Sequence, residues 1–290
     1  MTTPAAPVQW PDGKKAAACF TFDVDAESAL LGVSSQHADR MTAMSHQAYG
    51  PLVGVPRILD LLHRNEVTST FFVPGYTARR YPDVIRAIID AGHEVAHHGY
   101  LHESMAGLNE IEEAAILDRG LDALESVTGQ RPVGYRAPMW ELNWHSPGLL
   151  ADRGFLYDSS LMDAEHPYEL AVAGSRRLVE IPVQWALDDW EQYCYIPGFS
   201  GSGLIESPRK AAEIWGLEFE GIRVAGGCFV LTSHPFLSGR PSRAAVLEEL
   251  VQYVKSCDDV WTTTLGEVAD HTRKLELAPR SISRPDPDDL

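Results

Sequence analysis

Two aspartates one residue apart, Asp23-Val24-Asp25, close an apolar run, and a histidine-rich stretch, His93-Glu94-Val95-Ala96-His97-His98-Gly99-Tyr100-Leu101-His102, follows further along. Carboxylate and imidazole groups are the donors of a bound divalent ion, and a carboxylate left over can accept a proton. Residues i and i+2 of a strand share a face, and acidic groups at the carboxyl end of a parallel strand lie where α/β proteins place their sites. One aspartate of such a pair can equally cap a turn while the other stands in solvent. The histidines form two i,i+4 pairs. If 94–97 is a strand, His93 and His97 lie roughly 13 Å apart at about 3.3 Å per residue, too far to share an ion whose nitrogen bonds are about 2.0–2.1 Å. Gly99 lets the chain leave the strand, so His98 and His102 can meet on one face of a turn. One of the two aspartates with His98 and His102 would leave a fourth position open to water, the catalytic arrangement for Zn2+; Co2+, Mn2+ and Ni2+ accept the same donors.

Three further groups could join them. Arg136 sits in Tyr135-Arg136-Ala137-Pro138-Met139-Trp140, a proline-stiffened turn after a short strand. Trp185-Ala186-Leu187-Asp188-Asp189-Trp190 follows the run LVEIPV, and His234 emerges from the apolar run CFVLT. A histidine on the same face as a metal is a candidate general acid. Each of these residues alone is as easily a surface ion pair or a core contact.

The elements that must position these groups alternate. Apolar runs predict strands at Ala16–Phe22, Ser69–Val73, Glu94–His97, Val133–Arg136, Leu178–Pro182 and Cys228–Thr232. Helical periodicity marks Val55–Arg64, Pro82–Ala91, Asn109–Thr128 and Ser242–Ser256, with Asn109 and Glu112 spaced as a cap. Alternation of this kind predicts a mostly parallel sheet with helices outside. The first strand is not followed by a glycine-rich phosphate loop, which favours a closed or nearly closed β/α barrel. Three stretches, Glu27–Gly54, Asp158–Arg177 and Asp189–Ser207, are long for βα connections and are expected to surround the carboxyl-end face as ordered, aromatic-bearing inserts. The polar, proline-rich tail from Pro279 is expected to fray.

The chain has 290 residues, enough for one large domain. Its formal charge of -17 repels phosphate backbones and anionic lipid, which argues against nucleic acid or membrane partners. No run is long and apolar enough to span a membrane, and the N-terminus has no basic stretch followed by an apolar run, which predicts a cytoplasmic protein. Cys19, Cys194, Cys228 and Cys257 are scattered, as reduced thiols would be.

In this order the motifs resemble the polysaccharide deacetylase superfamily, also called the NodB homology domain or carbohydrate esterase family 4. TFDVD resembles its first motif, HGYLH its H-x-x-x-H motif, RAPMW its third, DDW its fourth and the segment at His234 its fifth. The resemblance implies a distorted (β/α) barrel of about seven strands over residues 1–278, with 279–290 a flexible tail. It also implies roles. Asp23 would be the base, Arg136 its orienting partner and His234 the acid, with Asp25, His98 and His102 holding one divalent ion, Zn2+ first. Pro138, Trp140, Asp188 and Trp190 would shape the substrate pocket. The activity implied is metal-dependent hydrolysis of a non-peptide amide carbon-nitrogen bond in an amino-sugar or other small-molecule substrate. Val24 between the aspartates and Ala26 after them resemble an intracellular branch that includes peptidoglycan deacetylase-like proteins and allantoinase or cyclic-imide hydrolases, which implies a homo-oligomer, in that branch a tetramer. The inserts suggest an enclosed small substrate, with ring opening of a cyclic amide or imide as the alternative. A non-catalytic carbohydrate-binding relic would have lost a ligand or the base, and both are present.

Overall fold

Small and apolar side chains let Ala16–Asp23 form β1 buried along its whole length. The strands that follow are β2 (Thr70–Val73), β3 (Glu94–His97), β4 (Gly134–Tyr135), β5 (Tyr157–Asp158), β6 (Tyr168–Val172), β7 (Arg176–Glu180), β8 (Cys228–Ser233) and β9 (Val260–Thr262). The computed structural model describes residues 8–200 and 204–286. The sheet runs β6-β7-β5-β4-β3-β2-β1-β8, parallel except for the β6–β7 hairpin. Beyond β7 the chain returns beside β8, where Asp188 bridges Thr232 and the Asp189 N–H donates to the Thr232 carbonyl at 3.1 Å. That seam closes a barrel from β1, β2, β3, β4, β5, β7 and β8, the expected seven strands. β9 pairs with the first residues of β1 and β2 with its last, so the carboxyl end of β1 opens among β2, β8 and the seam.

Alternation along β1 builds two cores. Ala18, Phe20 and Phe22 pack outward with Val55, Ile58, Leu61 and Leu62, whereas Ala17 and Cys19 join Phe72, Ala96, Val179 and Val230. The outer layer includes the expected helices Val55–Arg64, Pro82–Asp90, Glu110–Thr128 and Pro241–Lys255. Asn109 and Glu112 do close a capping box, satisfying amide donors that a helix start leaves bare.

The inserts are more regular than their sequence suggests. The first contains helices Ser28–Leu31 and Met41–Tyr49, then runs through Gly50–Gly54 into Val55–Arg64 without a break. Gly54 lies so close to the Pro235 carbonyl that no Cβ would fit, which pins this insert beside His234. Asp158–Arg177 is not an irregular loop. It contributes the end of β5 and the whole of β6, whose Glu169 and Ala171 interrupt the apolar pattern that would have betrayed a strand. Helix Pro208–Ala225 also escaped the periodicity reading, although Ser207 caps it, Pro208 opens it and left-handed Gly226 ends it. The tail from Pro279 is tied down at Arg280, whose backbone exchanges hydrogen bonds with Glu169 and Ala171 of β6.

Candidate active site

Asp23 ends β1, and the Val24 N–H still donates to the Phe72 carbonyl at 2.8 Å, so Asp25 leaves the sheet only one residue later. Both carboxylates are buried. Arg136, directly after β4 and itself fully buried, donates from Nη1 to Asp23 Oδ1 at 2.8 Å and to Thr21 Oγ1 at 3.0 Å. Its Nε donates to the Ser159 carbonyl at 3.2 Å, and the guanidinium lies over the Phe72 ring at 4.0 Å. A buried charge pair persists only when its remaining hydrogen-bonding capacity is met, and here the fork is filled on each side. Asp23 is thereby held in one orientation.

Asp25 is placed differently. Its backbone carbonyl accepts from Ser28 Oγ at 2.6 Å and Thr77 Oγ1 at 2.7 Å, yet neither carboxylate oxygen, both buried, has a hydrogen-bond donor. Three imidazole Nε2 atoms face it at 3.5 Å: His98 toward Oδ1, His102 and His234 toward Oδ2. A buried carboxylate without a partner is costly, and 3.5 Å exceeds a hydrogen bond. Asp25, His98 and His102 converge closely enough to hold one ion, and their donor set fits a divalent metal. His98 Nδ1 lies 2.8 Å from the Arg136 carbonyl, which fixes the Nδ1–H tautomer and leaves the Nε2 lone pair aimed at Asp25. Burial pushes the His98 pKa down to about 3 against the pull of Asp25, so the ring is neutral, as a ligand must be. His102 adopts a left-handed backbone at φ 56°, a strain the surroundings must hold. Glu103 Oε2 holds it, accepting from the N–H groups of Tyr100 at 3.1 Å and Leu101 at 2.7 Å.

His234 follows β8. Its Nδ1 lies 2.7 Å from Asp189 Oδ1, its backbone N–H reaches both Asp189 oxygens at 2.9 Å, and Ser238 donates to Asp189 Oδ2. Asp189 is therefore the partner that orients His234. The sequence named no partner for His234 and gave only Asp188 of the adjacent pair, as a pocket residue; the seam with β8 is what turns Asp189 toward the histidine. Asp188 Oδ1 accepts from the Trp190 N–H at 2.7 Å and stands 3.6 Å from His234 Nδ1. Burial works against a charge on His234, but Asp188, the hydrogen bond to Asp189 and the charges of Asp189 and Asp25 outweigh it and raise its pKa to about 10. Burial lifts Asp188 to about 7.

These groups floor a cavity of about 380 Å³ whose walls include Met139, Trp140, Trp185, Trp190 and Phe199. Trp140 and Trp185 stack with centroids 4.5 Å apart. Of the residues named for the pocket, Trp140, Asp188 and Trp190 line this cavity and Pro138 does not. It is buried beside Gly99, and the wall position belongs to Met139. The first insert reaches the cavity through Ala29 and Val33, and the third through Trp190, Glu191, Phe199 and Ser200. The second insert, also expected at this face, supplies no lining residue.

His93 and His97 stand apart from the site. His93 Nδ1 accepts from the Ser69 N–H at 3.2 Å. His97 points outward, its Nε2 toward the Leu117 carbonyl at 3.1 Å while Nδ1 accepts from the Gly99 N–H at 3.1 Å; Gly120 leaves room for the ring where any Cβ would collide. Burial lowers the His97 pKa to about 4, below the unfolded value of about 6.5. The unfolded chain therefore takes up this proton first as pH falls. The contribution to stability is complete above about pH 6.5 and drains away toward pH 4, on the order of 3 kcal/mol over that span. Urea unfolding at stepped pH should show a shallower acid loss in His97→Gln than in the parent; equal slopes would remove His97 from the account.

The polysaccharide deacetylase family profile matches residues 48–155. A solved candidate polysaccharide deacetylase from Mycobacterium smegmatis is 62% identical, covering 98% of this chain and 99% of that one with a TM-score of 0.96. The chain belongs to the polysaccharide deacetylase family. Peptidoglycan deacetylase of Helicobacter pylori is 29% identical over 282 residues, 89% of this chain and 96% of that protein. The structure of PuuE allantoinase is 25% identical, with a TM-score of 0.82 over 94% of this chain and 95% of its own. Membership of the deacetylase family makes the chain a hydrolase of non-peptide carbon-nitrogen bonds, and the NodB-like barrel expected from the motifs is the fold found. Among the described residues no helix of this deacetylase homologue is long and apolar enough to cross a membrane.

Proposed function

We propose that this protein is a metal-dependent amide hydrolase that removes an N-acyl group from an amino-sugar unit, with Asp25, His98 and His102 holding the ion. The observation that carries the reading is the buried Asp25 carboxylate, bare of donors and faced by imidazoles at 3.5 Å, beside an Asp23 clamped by Arg136. One carboxylate and two imidazoles as donors favour Zn2+. A divalent ion bound there supplies Lewis acidity, polarising the acyl oxygen and making a water easier to deprotonate. Asp23 accepts that water's proton, and Arg136 keeps its carboxylate oriented for the transfer. His234, held through Nδ1 by Asp189, delivers a proton from Nε2 to the departing nitrogen, which would otherwise leave as an unstable anion. The aromatic walls exclude water from the polar floor and offer flat faces to a ring.

A second reading, ring opening of a small cyclic amide or imide, draws support from the size of the cavity, the two inserts that wall it, and the likeness to an allantoinase. The zinc-loaded protein should be assayed against N-acetylglucosamine oligomers, allantoin, a hydantoin and succinimide, with and without chelator. Chelator-sensitive acetate release from the oligomers is the expected result. Ring opening without acetate release would transfer the conclusion to the second reading, and no metal-dependent turnover of any substrate would overturn both.

A further inference from the structure

Asp158 and Glu180 are register partners on β5 and β7, both fully buried, and their side chains lie within hydrogen-bonding range of each other. Among the described residues neither makes an ion pair with a cationic side chain within 4.0 Å. Among the described residues the other hydrogen bonds of the two carboxylates go to one turn. Glu180 Oε1 accepts from the N–H groups of Ser160 at 3.2 Å and Leu161 at 2.9 Å, and Asp158 Oδ1 accepts from Ser160 Oγ at 2.8 Å. The remaining oxygens, Asp158 Oδ2 and Glu180 Oε2, are buried without a donor. The same turn reaches the active site from its other side. The Ser159 carbonyl and Oγ accept from Arg136 Nε at 3.2 Å and Nη2 at 3.3 Å, and Ser160 Oγ accepts from the Ala137 N–H at 2.9 Å.

Two ionised carboxylates cannot sit against each other out of water, and one proton held between them would satisfy both bare oxygens at once. We propose that Asp158 and Glu180 share a single proton in the folded protein, and that the pair so closed is a positioning device that sets residues 159–161 against Arg136. Burial raises both carboxyls, Asp158 to about 6 and Glu180 well above the ordinary carboxyl range, where the adjacent Asp158 charge adds to it. The facing titratable groups agree. Tyr135 on β4 and Tyr168 on β6, register neighbours of the pair, are phenols pushed upward by burial and by these carboxyls, and the Arg136 charge pulls Asp158 in the opposite direction to burial.

Glu180→Gln tests the proton, because its amide donates permanently to Asp158 while its oxygen still accepts from the turn. The folded pair holds a proton the unfolded chain has lost above about pH 5, so wild-type stability falls as pH rises, by up to about tenfold in the folding equilibrium per pH unit until the pair ionises. Urea unfolding should show the variant gaining on wild type at that rate, and a carboxylic-acid carbonyl band in the wild-type infrared spectrum should vanish in the variant. Parallel stability curves with no such band would overturn the shared proton. Neither readout depends on turnover. Only the kinetic arm rests on the reading of Asp23 as base. In it, Glu180→Leu lowers kcat by about tenfold or more at unchanged metal content and KM, and Glu180→Gln restores it. Ser160→Ala, one oxygen smaller, gives the same direction should the leucine variant not fold. Wild-type kcat in a folded Glu180→Leu or in Ser160→Ala would overturn the positioning role.

Discussion

Alanine at Asp25, His98 or His102 is expected to empty the site: zinc measured by plasma emission falls from one per chain to background in each variant, and hydrolysis falls with it. The three donors come from separate parts of the fold, the exit of β1, the exit of β3 and the strained turn at His102, so no neighbouring group can replace a lost one. His234 is the nearest substitute, with Nε2 at 3.5 Å from Asp25 Oδ2, but its Nδ1 and backbone are committed to Asp189 and the charges around it favour the protonated ring. A protonated imidazole has no lone pair for an ion. Metal binding is also folding energy, about 4 kcal/mol when the free ion exceeds its dissociation constant a thousandfold. Zinc should therefore raise the melting temperature of the parent and leave the three variants unmoved. His93→Gln and His97→Gln should bind as the parent does. A filled site in His98→Ala beside an empty one in His97→Gln would mean that the wrong pair of histidines has been chosen.

Those histidines show how far the sequence could be read. Spacing separated His98 and His102 from His93 and His97 because a strand carries i and i+4 far apart, and β3 does end at His97. The barrel was legible for a similar reason: its strands are short apolar runs between amphipathic helices. What stayed hidden depends on contacts between distant segments. Asp189 earns its role only where the chain after β7 meets Thr232, and nothing local distinguishes it from Asp188. β6 shows a mixed pattern because it is a hairpin partner at the rim, with Ala171 exposed and Glu169 buried against Arg177. The placing of Met139 at the cavity wall, and of Pro138 behind it, follows from left-handed backbone at Met139 and Trp140, a conformation no composition rule would assign to either residue.

Asp23→Asn should keep its metal and lose about 10² to 10⁴ in kcat, the usual worth of a positioned base. The substitution changes little else. Asparagine has the same shape, and its oxygen can still accept from Arg136 Nη1, so the guanidinium stays over Phe72 and the turn at Ser159 is undisturbed. What disappears is the negative charge. The water's proton then has no acceptor on that side of the cavity, because Asp25 faces the imidazoles and Asp188 lies across by His234. Arg136 is left buried without its counter-charge, so some loss of stability is also expected, smaller than the loss of about 3–5 kcal/mol seen when a buried pair is broken outright. Metal analysis and single-turnover kinetics on the same preparation separate these effects. His234→Ala completes the argument from the other end of the reaction. An acid must be protonated to act, so activity fails as pH rises through its pKa, and removing His234 should erase the alkaline limb of the rate profile while the metal stays. Metal loss in Asp23→Asn would make that residue a ligand, and both limbs surviving in His234→Ala would assign the proton to another group.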